Sequence, residues 1–199
     1  MYFFFVLLML SFNIVLYIDH LQYKEQVSSR LHAAQIESEE YLIMKENFEA
    51  SILCNSITFD SLICCDVNDS VYDFSDLFKS QTNKILICRF SELDCENCIN
   101  HAIETLKSKA GIETSSIAFL CSYRNSAMLS KMIEYYQLDS YKVYNTKLTI
   151  TPIDEWGKPY YFIIDSNLTI SDIIIPEKIN NEIQELYFNN LKQKHFIAY

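Results

Sequence analysis

The sequence predicts a three-layer α/β domain with a mixed central sheet, set behind an apolar N-terminal helix and a helical stalk. Three observations predict it. From Lys84 onward, short apolar runs alternate with amphipathic segments of helical period. A late pair of apolar runs is split by a two-residue turn, and an amphipathic segment closes the chain. With 199 residues, half of them apolar, the chain buries one substantial core. A net charge of −10 without any basic stripe excludes a nucleic-acid binder, because affinity for the phosphate backbone comes largely from Lys and Arg.

The elements follow in order. Met1 to Ile18 carries only two plainly polar side chains, Ser11 and Asn13, and no charge before Asp19. At 1.5 Å per residue the run covers roughly 27 Å, close to the shorter limit of a membrane span. A cleavable signal peptide would want a basic start and a small-residue cleavage site, but Asp-His-Leu-Gln-Tyr-Lys follows Ile18, which favours an uncleaved single-pass anchor. Few flanking charges exist to set topology. The bulk of the chain is expected on the extracytoplasmic, periplasmic side. Residues 19–53 have no proline or glycine and read as a helical stalk. Val27, Leu31, Ala34, Tyr41, Phe48 and Ile52 recur close to a 3.5-residue spacing, interrupted by Ser38 and Lys45. That seam suits a solvated spacer or a weak homodimer.

Residues 54–83 read as a lead-in to the domain at 84–199, with Val71 to Phe78 either a strand or a helical turn. Lys84 to Phe90 is a nearly continuous apolar run, as expected of a strand covered on both faces. Cys95 to Ala110 is amphipathic through Ile99, Ala102, Ile103, Leu106 and Ala110, and Gly111 is a natural residue to follow its end. Ser116 to Ser122 is the next strand. Ser126 to Leu138 is a second helix through Met128, Leu129, Met132, Ile133 and Tyr136, and Tyr141 to Ile150 alternates weakly as an inserted or edge strand does. Tyr160 to Asp165 and Leu168 to Ile175 form a hairpin about Ser166-Asn167. A helix from about Glu177 to Lys194 closes the chain, with Pro176 at its start and Ile179, Ile183, Leu186, Tyr187 and Leu191 on its inner face.

The chemistry concentrates in Leu93-Asp94-Cys95-Glu96-Asn97-Cys98, two cysteines one turn apart where an apolar strand meets an amphipathic helix. A thiolate at a helix N-terminus is stabilised by unpaired N–H groups and the positive end of the dipole, and a second thiol three residues on can attack a mixed disulfide. The same spacing also serves zinc sites, and His101 extends it to Cys95-x-x-Cys98-x-x-His101. A structural zinc needs a fourth ligand that the chain does not advertise, so no metal is expected. Cys88 and Cys121 fall in central strands, where a free cysteine acts as a small apolar residue. Cys54, Cys64 and Cys65 stay unassigned, as a second redox pair or an electron relay. Seven cysteines leave at least one thiol free. Trp156 suits either a substrate-facing loop or packing.

Gly157-Lys-Pro159-Tyr-Tyr-Phe-Ile-Ile-Asp165 resembles the G-x-P-x-x-F-x-I-D stretch of membrane-anchored, TlpA-like thiol-disulfide oxidoreductases and related redoxins. Together with the element order and the C-x-x-C opening the first long helix of the domain, it makes the chain resemble the thioredoxin fold from about Lys84 to Lys194. The resemblance implies that Cys95 is the nucleophile and Cys98 the resolving thiol. It also implies that Pro159 is a cis proline whose loop lies against the C-x-x-C and, with Tyr160, meets an extended substrate segment. The partners would be protein or peptide thiols and disulfides, with no cofactor. Two departures stand out: Asp94 replaces the usual aromatic residue before the first cysteine, and Glu96-Asn97 replaces the usual Gly-Pro or Pro-type dipeptide. Carboxylates on both sides of Cys95 are expected to disfavour its thiolate and give a reductant-like potential. Two rivals remain. One is a peroxide-reducing redoxin, although Ser91 stands four residues before Cys95 and breaks the Thr/Ser-x-x-Cys arrangement; the other is a catalytically inactive thioredoxin-like interaction module in an envelope assembly.

Overall fold

The structure, a computed structural model, describes the backbone of residues 2–78, 84–178 and 181–196, and the side chains among them from residue 17 onward apart from Asn181. The chain divides into two compact units, Met1–Ile43 and Met44–Tyr199. Helix α1 runs from Tyr2 to Cys54. In the first unit Leu31 and Tyr41 of the expected seam are exposed, as is Ala34. Among the described residues no helix is long and apolar enough to cross a membrane. Most of the expected Met1–Ile18 anchor falls on residues 1–16, whose side chains lie outside the described residues.

The second unit is built on a mixed sheet of β1 (Ile63–Cys65), β2 (Val71–Asp73), β3 (Lys84–Ser91), β4 (Ile117–Ser122), β5 (Lys142–Asn145), β6 (Tyr160–Asp165) and β7 (Ile170–Ile174), in the order β2-β1-β5-β4-β3-β6-β7. Strands β3, β4 and β5 are mutually parallel, while β6 runs antiparallel to β3 and β7 to β6. The segment expected as a lead-in therefore supplies two strands. Val71 to Phe78 is both of the things its sequence allowed, a short strand followed by a 3₁₀ turn at Phe74–Phe78.

Alternation along β3 sends Leu86, Cys88 and Phe90 to one face and Ile85 and Ile87 to the other. The first face packs against α2 (Glu96–Lys109), α3 (Ser126–Tyr136) and α4 (Asn181–Leu191), through Ile103, Leu129 and Phe188 among others. The second is covered by the last turns of α1, through Ala50 and Cys54, and by Phe74 and Ile153 from two 3₁₀ turns. Trp156 ends the second of these turns, Pro152–Trp156, and packs half-buried against that cluster. Gly157 follows at φ +66°, and Gly111 follows α2 at φ +54°; both positions reverse the chain in the left-handed region where a Cβ is disfavoured.

Helix α4 begins at Asn181, later than expected, and Pro176 precedes it without being part of it. Its buried positions are Gln184, Phe188 and Leu191, spaced four and three residues apart, so Leu186 turns outward, contrary to the expected inner face. Ile179 lies outside the described residues.

A π-helical turn at Lys192–Phe196 is tied back to the sheet. Asp172, at φ +52°, sits in a β-bulge where Asp172 and Ile173 stand opposite Phe162. Its carboxylate accepts from Lys194 Nζ at 2.6 Å and from His195 Nε2 at 2.7 Å, while Lys84 Nζ donates to His195 Nδ1 at 2.7 Å. His195 is 2% exposed, and burial holds its pKa below the ordinary value despite the opposing pull of Asp172. Burial pushes Asp172 up, but the bonds from Lys194 and His195 outweigh it and hold its carboxyl below the usual range. Both folded values are depressed. Their stabilisation is therefore complete above the unfolded pKa values, about 6.5 for His and 3.9 for Asp, and is lost as pH falls through the folded ones. The urea midpoint is expected to fall between pH 7.5 and 5.5, and His195→Gln to shrink that fall; an equal fall in the variant contradicts the assignment.

Candidate functional site

Strand β3 ends at Ser91, and a short turn delivers Cys95 as the N-cap of α2. The turn is fixed by Asp94, whose carboxylate accepts from Ser91 N–H and Ser91 Oγ, each at 2.8 Å. Leu93 N–H donates to Ser91 Oγ at 3.2 Å, and Glu92 N–H to the carbonyl of Ser122 at 3.1 Å, tying the turn to the end of β4. The carbonyl of Cys95 accepts from the N–H groups of Cys98 and Ile99, both at 2.9 Å, and so opens the helix. Tyr161 Oη donates to the carbonyl of Ala102 at 2.6 Å and locks α2 onto β6.

Cys95 is exposed and Cys98 half-buried, both as free thiols. The Cys98 thiol first, and then the nearby N–H groups of Cys98 and Asn97 and the positive charge of Lys178, favour the thiolate of Cys95. These groups lower the Cys95 pKa below 9.0. Burial, and then the bond to Cys95, push Cys98 up to about 11. This corrects the expectation that flanking carboxylates disfavour the Cys95 thiolate. Asp94 is folded back onto Ser91, so a residue adjacent in sequence does not face the sulfur. The helix N-terminus and the second thiol decide the outcome.

The Arg89–Tyr160 pair in the β3–β6 register puts Pro159 at the end of the sheet where β3 delivers the dithiol turn. Pro159 is buried, and its peptide bond is trans, as are all those of the described residues. The expectation of a cis bond is thereby corrected. The resemblance alone had supplied it, and the chain keeps the form an X–Pro bond favours by about 0.5–1 kcal/mol. Tyr160 is 1% exposed; its hydroxyl donates to Asp154 Oδ1 at 2.7 Å and lies 2.9 Å from Thr151 Oγ1. Its side chain belongs to the core, so any contact of this segment with substrate runs through the main chain.

His101 lies on α2 beside the Glu177–Lys178 segment. It bonds to the carbonyl of Glu177 and lies 3.2 Å from Gln184 Nε2, which also donates to that carbonyl, and burial lowers its pKa. Among the described residues no group of three or more His, Cys, Asp or Glu side chains is placed to hold a metal ion. Cys54, Cys64, Cys88 and Cys121 are all buried with pKa values raised by burial, Cys64 to about 12, which makes them packing rather than nucleophiles. Cys65 donates to the carbonyl of Asn145 at 3.6 Å.

Sequence reasoning missed the Glu177–Lys178 segment and Gln184, which approach the dithiol helix from beyond β7 and carry no local signal. Asp94 did carry one, as a carboxylate three residues after Ser91.

Parallel β3 and β4 connected through α2, the antiparallel hairpin β6–β7 beside β3, and a closing helix, in the order β4-β3-β6-β7, make a thioredoxin-like fold. Among solved structures the chain is similar to a thiol:disulfide interchange protein from Bacteroides sp., at 14% identity, covering 73% of this chain and 93% of that one, with a TM-score of 0.49. It is also similar to a putative thiol-disulfide oxidoreductase from Bacteroides vulgatus (18% identity, 67% and 88% covered, TM-score 0.46) and to a putative electron transfer protein from Aquifex aeolicus VF5 (14% identity, 69% and 94% covered, TM-score 0.49). No family model matches the chain, and no curated protein does.

Proposed function

We propose that the chain is a thiol-disulfide oxidoreductase whose Cys95 and Cys98 exchange disulfides with protein or peptide substrates. The observation that carries this reading is the asymmetry of the pair. An exposed thiol at a helix N-terminus has its pKa drawn down, and its half-buried neighbour, pushed up to about 11, donates to it.

The chemistry follows from that asymmetry. The Cys95 thiolate attacks one sulfur of a substrate disulfide, forming a mixed disulfide and releasing the other sulfur as a thiolate that takes up a proton. Cys98 loses its proton, attacks the Cys95 sulfur and releases the second substrate thiolate. Two electrons pass to the substrate, and the protein is left with a Cys95–Cys98 disulfide. A dithiol reductant returns it to the starting state, and the reverse sequence oxidises substrate dithiols. The Gly157–Pro159 segment, at the same end of the sheet, offers main chain to an extended substrate.

We place the domain outside the cytoplasm, in the periplasmic compartment, on a single-pass membrane anchor at residues 1–18. The support is the composition of that segment, which has no charge before Asp19.

Equilibration of the full chain against graded ratios of reduced and oxidised dithiothreitol tests the redox reading. A reversible two-electron transition, lost in Cys95→Ser and in Cys98→Ser, is the expected result. A pair that stays reduced or oxidised at every ratio supports the inactive interaction module instead.

A further inference from the structure

A groove of about 540 Å³ opens between α2 and α3, at the N-terminal end of the helix that carries the dithiol. Its floor is apolar: Ile99, Met132 and Tyr136 are buried beneath it, while Met128 and Tyr135, the latter 68% exposed, stand at its lip. Three carboxylates, Glu92, Asp94 and Glu96, line the groove against one cation, Lys131. Asp94 and Glu96 are the residues on either side of Cys95. Glu92 is 16% exposed; its Oε1 accepts from Arg124 at 2.8 Å, and its Oε2 is buried with no hydrogen-bond partner.

The geometry points to this groove as the substrate-selecting surface of the dithiol. It fits an extended segment of a partner protein that carries a basic side chain and a large apolar one beside the reacting cysteine. The inference rests on the thiol-disulfide reading and adds the class of substrate. Charge complementarity selects the basic residue, and the methionine and tyrosine floor, adaptable in shape, takes the apolar one. The volume suits a few side chains of a peptide. The net charge of −10 acts in the same direction at long range, so the preference weakens with salt.

The test uses the reduced full chain and three probes in single-turnover oxidation, in which the Cys95–Cys98 dithiol becomes a disulfide and the probe becomes two thiols. Two probes are symmetric peptide disulfides of the form Ala-X-Cys-Leu-Ala, with X either Arg or Glu. The third is hydroxyethyl disulfide, which is small and neutral. The Arg peptide is expected to react about tenfold faster than the Glu peptide at low ionic strength, with the ratio falling toward one as salt is raised to about 0.5 M. Glu96→Lys, at an exposed position, is expected to flatten or reverse that ratio. Equal rates for the two peptides, with hydroxyethyl disulfide reacting normally, overturn the groove assignment and leave the dithiol reading standing. If none of the three probes reacts, the dithiol reading itself falls.

Discussion

Asp154→Ala is expected to lower the stability of the folded chain by about 3–5 kcal/mol, the cost of breaking a buried ion pair from one side. Arg89, 4% exposed, lies on β3, an interior strand of the sheet, and its Nε donates to Asp154 Oδ1 at 3.1 Å, with the Asp154 side chain 12% exposed. The rest of the guanidinium reaches the carbonyls of Leu120 and Leu148. Asp154 also accepts from Ile150 N–H at 2.6 Å and from Tyr160 Oη at 2.7 Å. Removing the carboxylate leaves a buried cation without a counter-ion and an amide without an acceptor. Replacing both charges, as in Arg89→Met with Asp154→Leu, still orphans the Ile150 amide but removes the unpaired cation, and is expected to cost less than the single change. In urea, with a slope of about 1–3 kcal/mol per molar, the single variant's midpoint falls by roughly 2 M. A fall worth under about 1 kcal/mol would show that the pair is not desolvated as described.

This network also marks where sequence reading stops. Arg89 stands inside the run Lys84 to Phe90, which reads as a strand covered on both faces, and the structure agrees. A charge within such a strand demands a partner, but Asp154 is 65 residues away, and nothing local names it. Strong periodic segments were legible: Tyr160–Asp165 has the bounds its apolar run implies, and Cys95 opens α2 as the C-x-x-C spacing and the amphipathic stretch together require. Three-residue strands such as Ile63–Cys65 carry too short a pattern to be seen, and their pairing with β5 is set by tertiary contact. The site divides in the same way. The order of the two thiols can be read from a helix N-terminus, whereas the sign of the local electrostatics cannot, because it depends on Asp94 turning toward Ser91 and away from Cys95.

That sign sets the second large effect, the difference in reactivity between the two thiols of the reduced wild-type chain. Cys95 titrates below 9.0, and Cys98 is pushed up to about 11. Opposite shifts of the two thiols give Cys95 by far the larger thiolate fraction near neutral pH. The more basic thiolate is intrinsically the better nucleophile, but with a Brønsted slope of about 0.4–0.5 this returns only part of the difference to Cys98. The net preference is therefore for Cys95, and its greater exposure adds to it; about tenfold is the order of magnitude expected. Brief alkylation with iodoacetamide at pH 7, followed by peptide mapping, is expected to label Cys95 ahead of Cys98 by that margin. The margin narrows as pH rises past the Cys95 pKa, because Cys95 is then fully ionised while Cys98 is still gaining thiolate. In Cys98→Ser, attack by Cys95 on a disulfide substrate stops at the mixed disulfide, which accumulates for want of a resolving thiol; Cys95→Ser forms far less adduct. Equal labelling of the two thiols at pH 7 would mean that neither the Cys98 thiol nor the helix N-terminus stabilises the Cys95 thiolate, and the assignment of nucleophile and resolving thiol would lose its physical basis.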